Sequence, residues 1–563
     1  MTDRLASSIA GGARPTVLVI GGGINGLAVF RDLCLQGVDA VLVERGDISA
    51  GASAASSRMV HGGLRYLEYG ELRLVRESVQ ERNRLLRNAA HHVAPLPTTI
   101  PLRRYWSGLL TAPLRLLRLT RSAHHSERGA VLVKVGLLAY DAFSGAGGPV
   151  PRHEFRGRRR SHQMFPALAP EVRCTATYFD AAVAQPERVA IDLLRDALEA
   201  NPRSRAVTYA EVTGVEPEGA VVTDAETGET VVVDANVIVN ASGPWTDLTN
   251  AALGEPTAWM GGTKGSHIVV DHPELLAATG GHEMFFEHAD GRIVLIHPMH
   301  GRVMIGTTDI PADPREPARC TEDEVQYFLD LVADVFPGIT VEPAQIVYRF
   351  AGIRPLPRAD RTAPGAVSRD YRIETSEDAQ GRLRLSIVGG KWTTFRALGE
   401  RVADQVLEAQ GLSRLRDTRD VAIGGARGLP LSADDRLEWA ADHLAAAEPG
   451  RRDELLRRYG TRAPEVLDHL RDGEDHAILG DRLSIREVDY LVAAEHARTV
   501  SDILQRRTSL AFEGRVTREV VERVADAMAP RMGWDEAQRA RQVARCVSEL
   551  ADGHGVEIGS PVG

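Results

Sequence analysis

The run Gly21-Gly22-Gly23-Ile24-Asn25-Gly26-Leu27 constrains this chain more than any other. It follows Thr16-Val17-Leu18-Val19-Ile20, a short apolar stretch rich in β-branched residues that suits a buried parallel strand. From Ile24 to Gln36, Leu27, Phe30, Leu33 and Cys34 recur at helical spacing, and Gly37 can end that helix. Ala40-Val41-Leu42-Val43 reads as the next strand and ends at Glu44. Gly21 permits a tight turn, Gly23 lets the backbone approach a pyrophosphate, and Gly26 lets helix and strand pack closely. The helix start, with Asn25 in its first turn, offers N–H groups and a positive dipole end to the anion. Glu44, eighteen residues after Gly26, is placed to accept hydrogen bonds from an adenosine ribose. Strand, motif, helix, strand and acid together predict a dinucleotide site, without separating FAD from NAD.

Two later turns favour FAD. Val237-Ile238-Val239-Asn240-Ala241-Ser242-Gly243 reads as a strand entering a tight turn. Leu385-Ser386-Ile387-Val388-Gly389-Gly390-Lys391-Trp392-Thr393 reads as a strand, a glycine pair and a helix start. A flavin dinucleotide is long, and Ser242, Gly243, Gly389, Gly390 and Thr393 could present backbone N–H groups to its remaining atoms. Lys391 is a cation suited to the pyrimidine edge, where it would stabilise reduced flavin.

At 563 residues the chain exceeds one typical core, so two or three domains are expected. A net charge of −10 argues against general nucleic-acid binding. Cys34, Cys174, Cys320 and Cys546 lie far apart with no CxxC pair. This predicts reduced cytosolic thiols, with no metal centre or disulfide framework. Met1 to Arg14 lacks the apolar region of a signal peptide, and no stretch reaches the ~20 apolar residues of a spanning helix. A cytoplasmic protein, soluble or resting on a membrane surface, is expected.

Several runs in order resemble the FAD-dependent, quinone-linked glycerol-3-phosphate dehydrogenases. They are Ser53 to Leu67 (with Ser56-Ser57-Arg58-Met59-Val60-His61-Gly62-Gly63-Leu64-Arg65-Tyr66), Gly265-Ser266-His267-Ile268, Ile305-Gly306-Thr307-Thr308-Asp309, Ala351-Gly352-Ile353-Arg354-Pro355, Ser368-Arg369-Asp370-Tyr371 and Gly389-Gly390-Lys391. The resemblance continues through Glu495-His496-Ala497-Arg498-Thr499 to Arg506-Arg507-Thr508. It implies oxidation of glycerol 3-phosphate, with hydride delivered to flavin N5. Arg65, Arg354 and Arg369 would line the substrate pocket, and guanidinium forks suit a phosphate dianion. Tyr66 would add a hydroxyl. His267 is the acid–base candidate, its reference pKa of ~6.5 lying near working pH; alternatively it only orients the hydroxyl while Arg354 stabilises the alkoxide. Ser57, His61, Gly62 and Gly63 would approach a non-covalent flavin. Departures from the family pattern are Arg58 in place of a common lysine, Trp392 in place of a smaller residue, Gln185-Pro186-Glu187-Arg188 in place of an acidic-Ala-Arg run, and a poorly matching Leu116 to Arg160.

The implied fold is α/β. A Rossmann-like FAD-binding domain of the D-amino-acid oxidase and glutathione reductase type occupies 14–83, 172–253 and 348–411. An α+β substrate cap is built from 84–171 and 254–347, and an all-helical C-terminal domain from 412–563. That tail either packs on the rest or mediates a homodimer. Trp106 to Arg121 is dense in leucine with arginines at three-residue spacing, and Arg156, Arg158, Arg159 and Arg160 follow. This reads equally as a cap helix or as a basic amphipathic helix on the inner face of the cytoplasmic membrane. The rival functions are a glycerol-3-phosphate oxidase using oxygen, an FAD amine or amino-acid oxidase, and a catalytically silent flavoprotein or NAD-binding regulator.

Overall fold

The computed structural model describes residues 5, 8, 9, 15–63, 71–107, 129–144, 149–287, 293–358 and 370–558. The apolar run after Thr16 forms the strand Val17–Ile20, central in a six-stranded sheet. Across that sheet lie Arg372–Glu377, Leu383–Val388, Val237–Asn240, Val17–Ile20, Ala40–Glu44 and Arg205–Thr208, all parallel except the first. The inner strands are buried on both faces, as continuous apolar runs require. On one face the helices Ile24–Leu35, Pro186–Ala200 and Phe395–Ala409 pack through Leu27, Phe30, Leu194, Leu398 and Val402. The other face is covered by the antiparallel strands Ala210–Glu216, Gly219–Asp224 and Thr230–Val233.

A second, ten-stranded sheet positions the chemistry. Its central members are Met260–Val270, Arg302–Gly306, Ile293–Met299, Glu283–Glu287, Val93–Leu102 and Cys174–Val183. Ile346–Pro357 joins as a long antiparallel partner of Met260–Val270, with His267 opposite both Phe350 and Gly306. One face buries Ile268, Val270, Ile296 and Ile305 under the helix Glu322–Val335, whose start is fixed by a Thr321–Glu324 capping box. The opposite face carries His267 and meets the C-terminal helices through Leu295, Met304, Tyr348 and Phe350. That tail is helical from Ala433 to His554, with one small hairpin of Ala477–Leu479 and Leu483–Ser484.

Candidate functional site

At the nucleotide end, Gly21 has a φ of +111°, and a Cβ on Gly26 would lie 1.9 Å from the Gly21 carbonyl oxygen. Only glycine allows this turn and helix to touch. The helix Ile24–Leu35 has no side-chain cap from Gly23 and no acidic residue in its first turn; Ser53 Oγ accepts the Ile24 N–H at 3.0 Å. This terminus is suited to an anion. Glu44 Oε2 accepts the Gly22 N–H at 2.6 Å and Oε1 the Gly46 N–H at 2.9 Å. Burial raises its pKa, opposed by those two N–H groups and by Arg45. Each oxygen keeps a further lone pair for a ribose hydroxyl.

The distant motifs converge here. A Cβ on Gly390 would come within 2.7 Å of Asn25 Nδ2, while Asn25 Oδ1 is buried without a partner. Thr393 Oγ1 donates to the His61 carbonyl at 3.3 Å, and Lys391 Nζ donates to Ser78 Oγ at 3.2 Å. Ser242 Oγ donates to Asn240 Oδ1 at 2.6 Å, just before Gly243. Beneath Gly62 lies a group that sequence reasoning missed. Asp180 Oδ1 accepts from the Gly62 N–H (2.9 Å), Tyr140 Oη (2.5 Å) and Arg82 Nη1 (3.1 Å), and all three side chains are buried. Gly63 continues this pinned backbone with a φ of +82°. A helix start with no acidic residue in its first turn, an acid at the second strand's end and the orphaned Asn25 oxygen fit an extended dinucleotide.

On the second sheet, His267 and Arg354 lie on the same face of adjacent strands. The imidazole lies over Gly306, where a Cβ would sit 2.2 Å from its Cδ2. The Arg354 guanidinium lies over Gly265, where a Cβ would sit 2.1 Å from Nη2. His267 Nε2 is 2.9 Å from Ser57 Oγ, and its Nδ1 is buried without a partner. Its pKa is pushed down to about 3 by burial, then by the charges of Arg354, Arg58 and His297. The sequence expectation of a pKa near working pH is therefore corrected: the ring is neutral, and protonating it in the bare site is unfavourable. Arg354 donates to Asp309 Oδ1 (3.0 Å), Thr307 Oγ1 (2.9 Å) and the Thr308 carbonyl (2.9 Å). Asp309 ends the run Ile305-Gly306-Thr307-Thr308-Asp309, but nothing in its spacing announces an arginine partner. A second buried pair, His297 and Glu283 at 2.9 Å, lies on the same sheet face. Arg65, Tyr66 and Arg369, expected in the substrate pocket, lie outside the described residues, as do residues 108–121 of the predicted basic helix.

Two departures from the family pattern meet each other. Arg58 Nη2 is 3.3 Å from Glu187 Oε1, and Arg58 Nη1 donates to the Ala184 carbonyl at 2.7 Å. Among the described residues, one set of side chains could hold a metal by distance alone: His91, His92 and Asp192. Arg462 shares Asp192, and the set sits at a junction with the C-terminal helices.

Residues 16–405 match the family model described as FAD dependent oxidoreductase, and residues 416–539 match the C-terminal domain of alpha-glycerophosphate oxidase. The chain is 31% identical to a glycerol-3-phosphate dehydrogenase of Synechocystis sp., covering 94% of both. It is 33% identical to a D-erythritol 1-phosphate dehydrogenase of Brucella abortus, covering 87% of this chain and 93% of that one. The structure of the glycerol-3-phosphate dehydrogenase from Bacillus halodurans complexed with FAD superposes with a TM-score of 0.73 at 22% identity, covering 98% of this chain and 97% of that one.

Proposed function

Because the chain belongs to the FAD-dependent glycerol-3-phosphate dehydrogenase family, we propose that it oxidises sn-glycerol 3-phosphate to dihydroxyacetone phosphate and passes the electrons to a quinone. FAD, the family's cofactor, supplies the hydride acceptor when bound. The observation that carries the reading is the pairing of His267 and Arg354 on one sheet face, each lying over a glycine. His267 Nε2, held against the Ser57 hydroxyl, takes the proton of the secondary alcohol. The neutral ring is ready to accept, and the substrate's dianionic phosphate raises its basicity against the nearby guanidiniums. Arg354, already oriented by Asp309, steadies the developing alkoxide. Arg65, Tyr66 and Arg369 complete the pocket on the strength of their motifs, with the arginines gripping the phosphate.

Anaerobic stopped-flow mixing with glycerol 3-phosphate tests this. His267→Ala and Arg354→Ala each reduce the rate of flavin bleaching at least a hundredfold with FAD still bound; a wild-type rate in either sinks the assignment. Reoxidation of the bleached enzyme by a quinone analogue against oxygen separates dehydrogenase from oxidase. The same bleaching assay with erythritol 1-phosphate addresses the second substrate class among the relatives.

Attachment to an anionic membrane surface belongs to this proposal. Among the described residues no helix is long and apolar enough to cross a membrane. Trp106 is 73% exposed, and Val135 and Leu138 stand out from the helix Ala130–Ser144. Arg158, Arg159 and Arg160 are exposed in the neighbouring helix Arg158–Met164. Co-sedimentation with anionic vesicles, lost at high salt, supports attachment; none at low salt opposes it.

A further inference from the structure

The C-terminal helical domain reaches back to the loop behind the nucleotide site. Asp47 lies three residues after Glu44, in the turn that leaves the strand Ala40–Glu44, and is 2% exposed. Arg507 Nη1 and Nη2 donate to its two oxygens at 2.7 and 2.8 Å, and Arg506 Nε donates to Oδ2 at 2.5 Å. Arg507 is fully buried and also donates to the Glu495 carbonyl, at 3.0 Å from Nε and 2.8 Å from Nη2. Burial alone would raise the Asp47 pKa; the two guanidiniums overcome it and hold the carboxyl below its usual range.

A second strut runs parallel to the first. Arg506 Nη2 donates to Asp502 Oδ1 at 2.7 Å, and the Tyr209 hydroxyl donates to the same oxygen at 2.7 Å. The Tyr209 N–H then donates to the Gly46 carbonyl at 3.0 Å. The other side of this loop faces the fingerprint: Gly46 holds Glu44, Glu44 holds Gly22, and the Ser49 N–H donates to the Gly22 carbonyl at 2.9 Å. One short loop is thus gripped by the C-terminal domain on one side and shapes the adenosine end of the dinucleotide site on the other.

We propose that Arg506 and Arg507, acting through Asp47, make the C-terminal domain a clamp that retains the adenosine end of FAD. The inference rests on the reading of Gly21–Gly26 and Glu44 as the FAD site. Release of a dinucleotide from such a site requires the loop after the second strand to open. With the clamp in place that opening must break buried ion pairs to another domain; without it, opening is a local event of lower cost. An interdomain bridge with no part in retention would stabilise the fold but leave release unchanged.

The test uses purified yellow holoenzyme. FAD release is followed after dilution by recovery of free-flavin fluorescence, and melting of the apoprotein is measured beside it. Asp47→Asn and Arg507→Gln release FAD at least tenfold faster, and the double variant is no faster than the quicker single one. Tyr209→Phe, which deletes one hydroxyl and keeps the ring, is the mild variant and accelerates release about threefold, the low end of the effect of losing one hydrogen bond. Release within a factor of 1.5 of wild type from folded Tyr209→Phe, or within twofold from folded Asp47→Asn, overturns the clamp. Wild-type protein that carries no FAD would instead overturn the underlying cofactor site, a distinguishable result.

Discussion

The imidazole of His267 lies flat on the ring of Phe350, with centroids 4.7 Å apart and planes within 9°. Phe350 contacts Phe512 of the C-terminal domain at 6.3 Å, and the Arg58 guanidinium lies 4.2 Å over the other ring. The proposed acid–base residue is therefore backed by an aromatic wall that another domain completes. Aromatic pairs of this kind contribute roughly 0.5–1.5 kcal/mol beyond burial. Phe350→Leu is expected to slow flavin reduction about tenfold, about 1.4 kcal/mol, with little change in KM. Phe350→Tyr, which keeps the stack, stays within about threefold. Equal losses in both variants, or a loss confined to KM, would show that the stack does not position the ring.

Gly306 makes room for the same imidazole. Gly306→Ala places a methyl 2.2 Å from Cδ2 and 2.7 Å from Nε2, so the ring must move. Overpacking of this kind costs about 1–3 kcal/mol. Flavin reduction should fall about a hundredfold while flavin absorbance per protein is unchanged. Gly265→Ala meets the flexible tip of Arg354 instead, and should raise KM more than it lowers the limiting rate. The reverse pattern in steady-state kinetics would refute both placements.

Acid sensitivity follows from the buried histidines. His267 is pushed down to about 3, and His300 and His554 to about 4, in each case chiefly by burial. Their folded pKa values lie below the unfolded value of ~6.5, so the unfolded chain binds more protons between these limits. Stability from this source is complete above pH ~6.5 and declines as pH falls towards 4, with a slope near pH 5 of about 4 kcal/mol per unit for three groups. Thermal melts across pH 7.5 to 4.5 check this, and His554→Gln should flatten the decline. An unchanged slope in that variant would remove His554 from the set.

Much of the nucleotide end was legible in the sequence because its signals are local. Strand, glycines, helix and Glu44 fall within one short run, each residue type demanded by backbone geometry. The proposed substrate end was legible only as separate motifs. That His267 and Arg354 share a face depends on the antiparallel register of Met260–Val270 with Ile346–Pro357, which pairs residues nearly ninety positions apart. Cys174–Val183 and Ile346–Pro357 belong to the second sheet, yet an apolar run states only that it is buried, not beside which strand. Asp180 and Asp309 carried no signal because their partners are distant in the chain. The depressed pKa of His267 was equally invisible, since it arises from burial and from Arg354 and Arg58, not from neighbours in sequence. Arg58 and Glu187 were each visible as an oddity; only the fold shows that they answer each other.

Glu324 does more than begin a helix. Its carboxylate also accepts from Lys264 Nζ (2.7 Å) and Ser266 Oγ (2.8 Å), on the strand that carries His267, and from Thr308 Oγ1 (2.6 Å), whose carbonyl accepts from Arg354. These three side-chain donors share one acid, so a substitution at Glu324 strips the Ser266 and Thr308 hydroxyls of their acceptor, and none at the hydroxyls leaves Glu324 fully paired. Divergence at these positions has to be concerted. Across descendants of this fold, Lys264, Ser266, Thr308 and Glu324 should be inherited or exchanged as a block.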